Sequence, residues 1–258
     1  MTLGETNMLE HQQSAVRPQD TPALYFSMAR TPAEVREAQA LRYRVFAGEM
    51  GARLAGHDNL DRDGFDPLCE HLLVRDRETG KVVGTYRILS PSMASEAGGY
   101  YSAGEFDLSR MEHLFDRTVE IGRACVHPDY RNGSTIALLW AGLAKYMLQN
   151  RYDYLIGSAS ISMADGGHMA ASLYQRLKRD HLAPAEYHVF PLCPLPLENL
   201  QSDIQTSCPA LLKGYLRAGA WICGEPAWDP DFNTADLPIL LPLKNLNPAY
   251  SRHFLKQG

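Results

Sequence analysis

No apolar run of about 18 residues, the length that crosses a bilayer, occurs in this chain of 258 residues, so no membrane-spanning helix is expected. Cysteine is sparse and has no pairing pattern. The five residues, Cys69, Cys125, Cys193, Cys208 and Cys223, are odd in number and widely spaced, with no CxxC among them. That pattern excludes a disulfide framework and points to reduced, structural thiols in a cytoplasmic protein. A basic excess is missing as well: the formal net charge is −5, which argues against general nucleic-acid binding, because a phosphate backbone is met by a basic surface. Histidines such as His71, His113, His127, His168, His181 and His188 follow no ligand spacing, so no metal site is expected. There is no internal repeat. Residues 1–22 include MTLGETNMLEHQQSAVRP, which has neither the basic start nor the apolar core of a secretory signal, and they read as a flexible tail. Hydrophobic residues at 45% and charged ones at 21% describe a globular chain, with a core-forming body expected over 23–258.

The most informative stretch is Thr118 to Tyr146. Thr118 to Val126 has the β-branched and small residues of a strand, and His127-Pro128-Asp129-Tyr130 ends it with turn chemistry. Arg131-Asn132-Gly133-Ser134-Thr135 then opens a helix that is apolar on almost every side, leaving free N–H groups where the helix dipole favours an anion. A phosphate grip is one reading of this turn. An ordinary strand-to-helix turn capped by Ser134 is the other.

Elsewhere, Leu24 to Ala29 reads as a strand. Thr31-Pro32-Ala33-Glu34 starts a helix with a capping box and Pro at the first position, running to about Glu49. Gly48 to Pro67 is an Asp-rich loop of functional length. His71 to Asp76 and Lys81 to Leu89 form an antiparallel hairpin around Arg77-Glu78-Thr79-Gly80. Ser90 to Gly104 reads as a loop and Phe106 to Phe115 as a helix. A strand at Tyr154 to Ile161 and a helix near Met169 to Lys178 follow. Pro184 to Pro196 is extended, Pro209 to Ala218 helical, Trp221 to Cys223 and Pro238 to Leu241 strands, and Pro248 to Leu255 a last helix. Strands alternating with helices after an antiparallel start predict an α/β (α+β) fold, with a mixed, mostly antiparallel sheet carrying helices on both faces.

Arg42-x-x-x-Phe46, Asp63-Gly-Phe-Asp66, Gly84-Thr-Tyr-Arg87, Phe106 and Glu120-x-x-Arg123 follow one another in the order seen in acyl-homoserine lactone synthases. The chain thus resembles the GNAT acyltransferase superfamily, in its branch fed by acyl carrier protein. The Trp those synthases carry after the Phe is missing here. Leu211 to Leu241, LLKGYLRAGAWICGEPAWDPDFNTADLPILL, is instead similar to the L-ornithine N-alpha-acyltransferases of ornithine-lipid synthesis. The likeness spans about Leu24 to Phe254. It implies a GNAT fold with a C-terminal extension from about residue 182. It also implies a (3-hydroxy)acyl donor on acyl carrier protein or coenzyme A, no permanently bound cofactor, and a lyso-ornithine lipid as product. A lactone synthase, a CoA-dependent acetyltransferase and a non-catalytic carrier-binding module are the other readings.

Moving an acyl group from a thioester to an amine needs a proton acceptor, a polarised carbonyl and placement of both reactants. Glu120, on an otherwise apolar strand, is the candidate base with Arg123 beside it; a structural ion pair between the two is the alternative reading. Two-residue alternation puts them on opposite strand faces, so a shared site demands a β-bulge, expected at Gly122. Ala124, Cys125 and Val126 are expected to line the pantetheine arm, with Arg131, Asn132, Gly133, Ser134 and Thr135 on its phosphate. Cys125 has no His or Asp spacing for a dyad, which favours direct transfer. Asp63 and Asp66 are candidates for the cationic acceptor, with a metal as the rival ligand of that loop. Arg42 and Arg87 are candidates for the acceptor carboxylate or for ion pairs inside the loop. Phe46 and Phe106 line the acceptor or belong to the core. From Arg131 to His181 six basic residues stand against three acidic ones. Lys145, Arg151, Arg176, Lys178 and Arg179 are therefore a candidate dock for the acidic carrier. The Leu-rich segments Leu182 to Leu200 and Leu237 to Leu246 either touch the inner membrane face or are buried.

Overall fold

The computed structural model describes residues 23–54 and 58–247. The expected N-terminal tail and the helix expected at Pro248 to Leu255 lie outside the described residues. Strand β1 (Leu24–Met28) pairs antiparallel with β2 (Glu70–Asp76), and β2 with β3 (Val82–Leu89), as the hairpin signal predicts. Helix α1 (Pro32–Phe46) forms between them. Its start is the expected one: Pro32 leads, the Thr31 hydroxyl accepts from Glu34 N, and the Glu34 carboxylate accepts from Thr31 N.

Next come α2 (Pro91–Glu96) and β4 (Phe106–Asp107), then a 3-10 run at Ser109–Arg117. The expected loop over Ser90 to Gly104 therefore contains a short helix, started by Ser90 accepting from Met93 N with Pro91 at the first position. The helix expected at Phe106 to Phe115 is a strand and a 3-10 run instead. Phe106 and Asp107 pair with β7 (Phe190–Pro191), a long-range partner that local propensity does not reveal.

Strand β5 (Thr118–Val126) runs antiparallel to β3 and is followed by α3 (Gly133–Asn150). Strand β6 (Tyr154–Ser162) then lies parallel to β5. After α4 (His168–His181), β7 and α5 (Ala210–Ala218), the chain closes the sheet with β8 (Trp221–Ile222), β9 (Ala227–Asp229) and β10 (Thr234–Pro242). The main sheet runs β1-β2-β3-β5-β6-β10-β8, with β9 also on β10, and every pairing except β5 with β6 is antiparallel.

Alternation along β2 shows how the layers form. Leu72 and Val74 face α3, packing with Leu139 and Leu143, while Leu73 faces α1 and packs with Leu41 and Val45. Helices α3, α4 and α5 thus share one face of the sheet through Leu143, Leu173 and Leu212, and α1 covers the other. At Gly142 an added Cβ would come within 2.6 Å of the Leu72 side chain, so a larger residue there would have to displace Leu72 for α3 to lie this close to β2. No helix among the described residues is long and apolar enough to cross a membrane.

Candidate active site

The sheet opens in its middle. Strands β5 and β6 pair only over Thr118–Glu120 and Tyr154–Ile156, although both continue for six residues beyond, to Val126 and Ser162. Gly157 sits at the crotch, where a Cβ would come within 2.4 Å of the Ile121 carbonyl oxygen. Past that point the edge of β5 that faces β6 has no strand partner.

At the same place the ladder between β3 and β5 slips. Gly122 opposes Arg87 and Cys125 opposes Thr85, so Arg123 and Ala124 together face the single residue Tyr86. The residue that absorbs the slip is Arg123, with φ of +50°; the bulge lies one residue beyond Gly122, where it was expected. A non-glycine residue in the left-handed region is uncommon and costs backbone energy. The slip reverses the alternation. Ile121 packs into the α3-side core, whereas Cys125, four residues on, packs into the α1-side core. Glu120 and Arg123 consequently border the same cavity of about 250 Å³, which is lined from α1 by Phe46 and from α5 by Leu211.

Glu120 is buried at 4% exposure and accepts three hydrogen bonds, from Tyr101 N at 2.6 Å, Ser102 N at 2.8 Å and the Ser102 hydroxyl. Burial raises its pKa, and the bonds from Ser102 and Tyr101 offset only part of that effect. The Glu120–Arg123 ion pair weighed as the alternative does not form. Arg123 instead reaches Asp63 Oδ2 at 3.1 Å, the Tyr101 hydroxyl at 3.4 Å and, without hydrogen-bond alignment, Asp61 Oδ2 at 3.3 Å. Its guanidinium also lies over the Phe232 ring.

The Asp-rich loop closes on arginines. Arg42 Nε reaches Asp61 at 2.7 Å and its Nη2 reaches Asp66 Oδ1 at 2.7 Å. Arg87 Nη1 meets Asp63 at 2.7 Å and Asp66 Oδ2 at 3.2 Å. Three guanidiniums thus meet three carboxylates and the set is formally neutral, although Arg42 Nη1 is buried without a partner. Burial alone would raise Asp66, but Arg42 and then Arg87 hold its carboxyl at about 2. Neither Arg42, fully buried, nor Asp66 lines the cavity, and Phe106 lies in a core cluster away from it. Their expected contact with the acceptor is corrected: Arg42 and Asp66 hold the loop, and Phe106 packs the core. Arg87 and Phe46 do line the cavity. Asp63 is partly exposed but tied to Arg87 and Arg123.

On the expected donor side, Ala124 borders the cavity and Val126 packs toward α3. The Cys125 side chain is buried against α1, where its thiol donates to the Leu41 carbonyl oxygen at 3.8 Å, and burial pushes its pKa up to about 12. It therefore does not line the cavity, contrary to expectation. The α3 cap is Asn132 and not Ser134: Asn132 Oδ1 accepts from Thr135 N and from the Ser134 hydroxyl. Thr135 is fully buried with its N–H used in that cap, which corrects its expected phosphate role. The Arg131 guanidinium binds Glu49 and the Val126 carbonyl oxygen. Gly133 has open space around it.

Arg176, Lys178 and Arg179 edge a groove with Ser202 to Gln205, and Arg176 donates to the Thr206 carbonyl oxygen. Lys145 on α3 and Arg151 at its left-handed end are exposed but do not join that groove. Within the Leu-rich segments, Leu237, Leu240 and Leu241 are buried, while Leu182 and Leu192 are exposed.

The opposite wall of the cavity carries residues that the sequence did not reveal. Period-two alternation puts Ser158 and Ser160 of β6 and Thr234 and Asp236 of β10 on the cavity face, with Asp236 registered against Ser160. Glu105 and Asp229 join them, and one carboxylate oxygen from each of Glu105, Asp229 and Asp236 lies within 4.8 Å of the others. Burial pushes both Glu105 and Asp236 up, and the negative charges around each add to the effect. The signal present in the sequence was Asp229 and Asp236 inside the Leu211 to Leu241 segment, but nothing there placed Glu105 beside them.

The sequence profile of the Acetyltransferase (GNAT) domain matches residues 41–141. The L-ornithine N(alpha)-acyltransferase of Agrobacterium fabrum is 36% identical over 88% of this chain and 83% of its own length. That of Brucella abortus is 35% identical over 90% of this chain and 89% of its own length. The chain belongs to the L-ornithine N(alpha)-acyltransferase family. Its fold is that of a solved CoA-dependent acyl-homoserine lactone synthase, at TM-score 0.55 and 13% identity over 91% of this chain and 89% of that one. The protein is an acyltransferase of GNAT fold, with the mixed, mostly antiparallel sheet that the sequence predicts.

Proposed function

We propose that this acyltransferase moves a (3-hydroxy)fatty acyl group from acyl carrier protein to the α-amine of ornithine, giving a lyso-ornithine lipid. Relatives named for ornithine acylation support the acceptor. The observation that carries the reading is the open seam: an unpartnered β5 edge with a left-handed residue in it, bordering a cavity that holds a buried carboxylate.

A phosphopantetheine arm is an extended chain with two amides, and the split between β5 and β6 offers it backbone partners of the kind a strand would take. Acyl carrier protein and coenzyme A present the same arm, and the basic edge of α4 at Arg176, Lys178 and Arg179 suits the acidic carrier. Free N–H groups at the bulge polarise the thioester carbonyl, at about 3 kcal/mol each when well aimed. The α3 entrance at Asn132 to Ser134 takes the phosphate end.

An α-amine with a pKa of roughly 8 arrives mostly protonated at neutral pH. Glu120, its basicity raised by burial, accepts that proton directly or through a water. The freed nitrogen attacks the thioester carbon, the carbon–sulfur bond breaks, and the pantetheine thiolate leaves with the proton lost by the new amide. Cys125 forms no covalent intermediate. We place the reaction in the cytoplasm, with the lipid product released at the inner membrane face.

The test is thiol release from acyl-carrier protein, measured with and without ornithine, for the wild-type protein and Glu120→Gln. Ornithine-dependent release that falls by about 10²- to 10⁴-fold in the variant is expected. Carrier retention without release would indicate a binding module, and a requirement for S-adenosylmethionine would indicate a lactone synthase.

A further inference from the structure

The carboxylates of Glu105, Asp229 and Asp236 form a second acidic group, and its chemistry differs from that of the Asp-rich loop. Asp236 is 3% exposed and lines the cavity; Oδ2 accepts from the Thr234 hydroxyl at 3.3 Å, the Ser160 hydroxyl close by lowers its pKa, and Oδ1 has no partner in hydrogen-bond geometry. A buried carboxylate oxygen facing a cavity without a partner is costly unless a ligand supplies a donor. Glu105 accepts only the Ser158 hydroxyl, at 2.8 Å on Oε2. Asp229 uses Oδ1 to accept from Asp231 N and Phe232 N, which fixes the carboxyl and leaves its other oxygen to the cavity.

Among the described residues, no cation is bonded to the three. Arg123 lowers the pKa of Asp236 from a distance, but its Nη groups go to Asp63 and Tyr101 and its Nε lies 3.3 Å from Asp61 without hydrogen-bond alignment. The three carboxylates are within 4.8 Å of one another, ringed by the hydroxyls of Ser158, Ser160 and Thr234. An ammonium brings three donors and one positive charge, which matches three converging carboxylates with a free oxygen each. Glu120 borders the same cavity, and its charge acts on Glu105, so one small molecule can present one nitrogen to Glu120 and another to this group.

We infer that Glu105, Asp229 and Asp236 are the subsite for the side-chain ammonium of the acceptor, which makes the enzyme selective for amino acids carrying a second cation. This rests on the reading of the protein as an amino-acid N-acyltransferase. It assigns the selection to the β9–β10 wall and away from Asp63 and Asp66, whose charges the arginines already neutralise.

The test compares ornithine with 2-aminopentanoate, which has the same carbon chain without the second amine, in wild type, Asp236→Asn and Asp229→Asn. The wild type is expected to favour ornithine by about 100-fold or more in kcat/KM, since a site built for a donor rejects the analogue that lacks it. Each variant is expected to lose about 10- to 100-fold on ornithine, mainly in KM, so that its preference for ornithine over 2-aminopentanoate collapses. Calorimetric titration of ornithine should weaken in parallel, with no fall in melting temperature. Equal turnover of both amino acids by the wild type overturns the subsite while leaving the acyltransferase reading intact; turnover of neither overturns both. An equal loss on both substrates in the variants, or ornithine binding abolished by a chelator and restored by Mn²⁺, also overturns it, as a structural role or a metal centre respectively.

Discussion

Two acidic groups lie near the same cavity and behave oppositely. Asp61, Asp63 and Asp66 meet Arg42, Arg87 and Arg123, so their charge is spent inside the protein. Among the described residues, Glu105, Asp229 and Asp236 bond only to hydroxyls and backbone N–H groups, so theirs is not. The first group fixes a loop, and the second faces the cavity with capacity to spare. Carboxylate count alone does not distinguish such groups; what decides is whether the fold supplies the counter-charge.

The contrast is broken most directly by Arg42. Arg42→Met takes the closest cation from buried Asp61 and Asp66, leaving Asp61 only the misaligned Arg123 and Asp66 the longer contact with Arg87, and is expected to cost about 3 kcal/mol of stability, read as a shift of the urea midpoint. A wild-type midpoint would show that the loop group does not depend on its arginines. Asp236→Asn, in contrast, relieves repulsion, and is expected to be neutral or stabilising by about 1 kcal/mol in the absence of ligand.

A pH series sharpens the comparison. The folded-state pKa values of Glu105 and Asp236 are raised, so between the ordinary carboxylate range and those values the folded protein holds more protons than the unfolded chain. Stability then falls as pH rises through the raised values, by a few tenths to about 2 kcal/mol, and ornithine is expected to remove that slope. Asp66 has the opposite sign. Its lowered pKa gives stability that is present above the ordinary carboxylate range and lost as pH falls through about 2. Melting curves of wild type and Asp236→Asn across pH separate the two, because only the fall in stability between the ordinary carboxylate range and about pH 6 should shrink in the variant. The smallest effect is expected for Cys125→Ala: activity within about twofold of wild type, since a buried thiol with its pKa near 12 supplies no thiolate. A complete loss of acyl transfer with the fold intact would instead make Cys125 a nucleophile.

Much of the fold was legible because its signals are local. The capping box at Thr31 and Glu34, the hairpin turn and the strand-to-helix turn after Val126 each rest on residues adjacent in sequence. The bulge was legible by a different route, since Glu120 and Arg123 could share a site only if the alternation slipped. Placement at Gly122 followed glycine's freedom, yet the structure strains Arg123, which its bonds to Asp63 and Tyr101 hold in place. The pairing of Phe106 with Pro191 and the meeting of Glu105, Asp229 and Asp236 were not legible, because partners more than 80 residues apart leave no periodicity to read. For the Asp-rich loop the sequence left Arg42 and Arg87 open between acceptor ligands and ion-pair partners, because the arginines come from α1, β3 and β5 and only the folded chain brings all three onto the loop.

Hydrogen exchange tests the account at its centre. With a non-hydrolysable acyl-pantetheine thioether bound, amides within Ile121 to Val126 are predicted to slow by at least tenfold, as the arm takes the place of a missing strand beside β5. Unchanged exchange across those residues, with protection only at the α4 groove around Ser202 to Gln205, would contradict it.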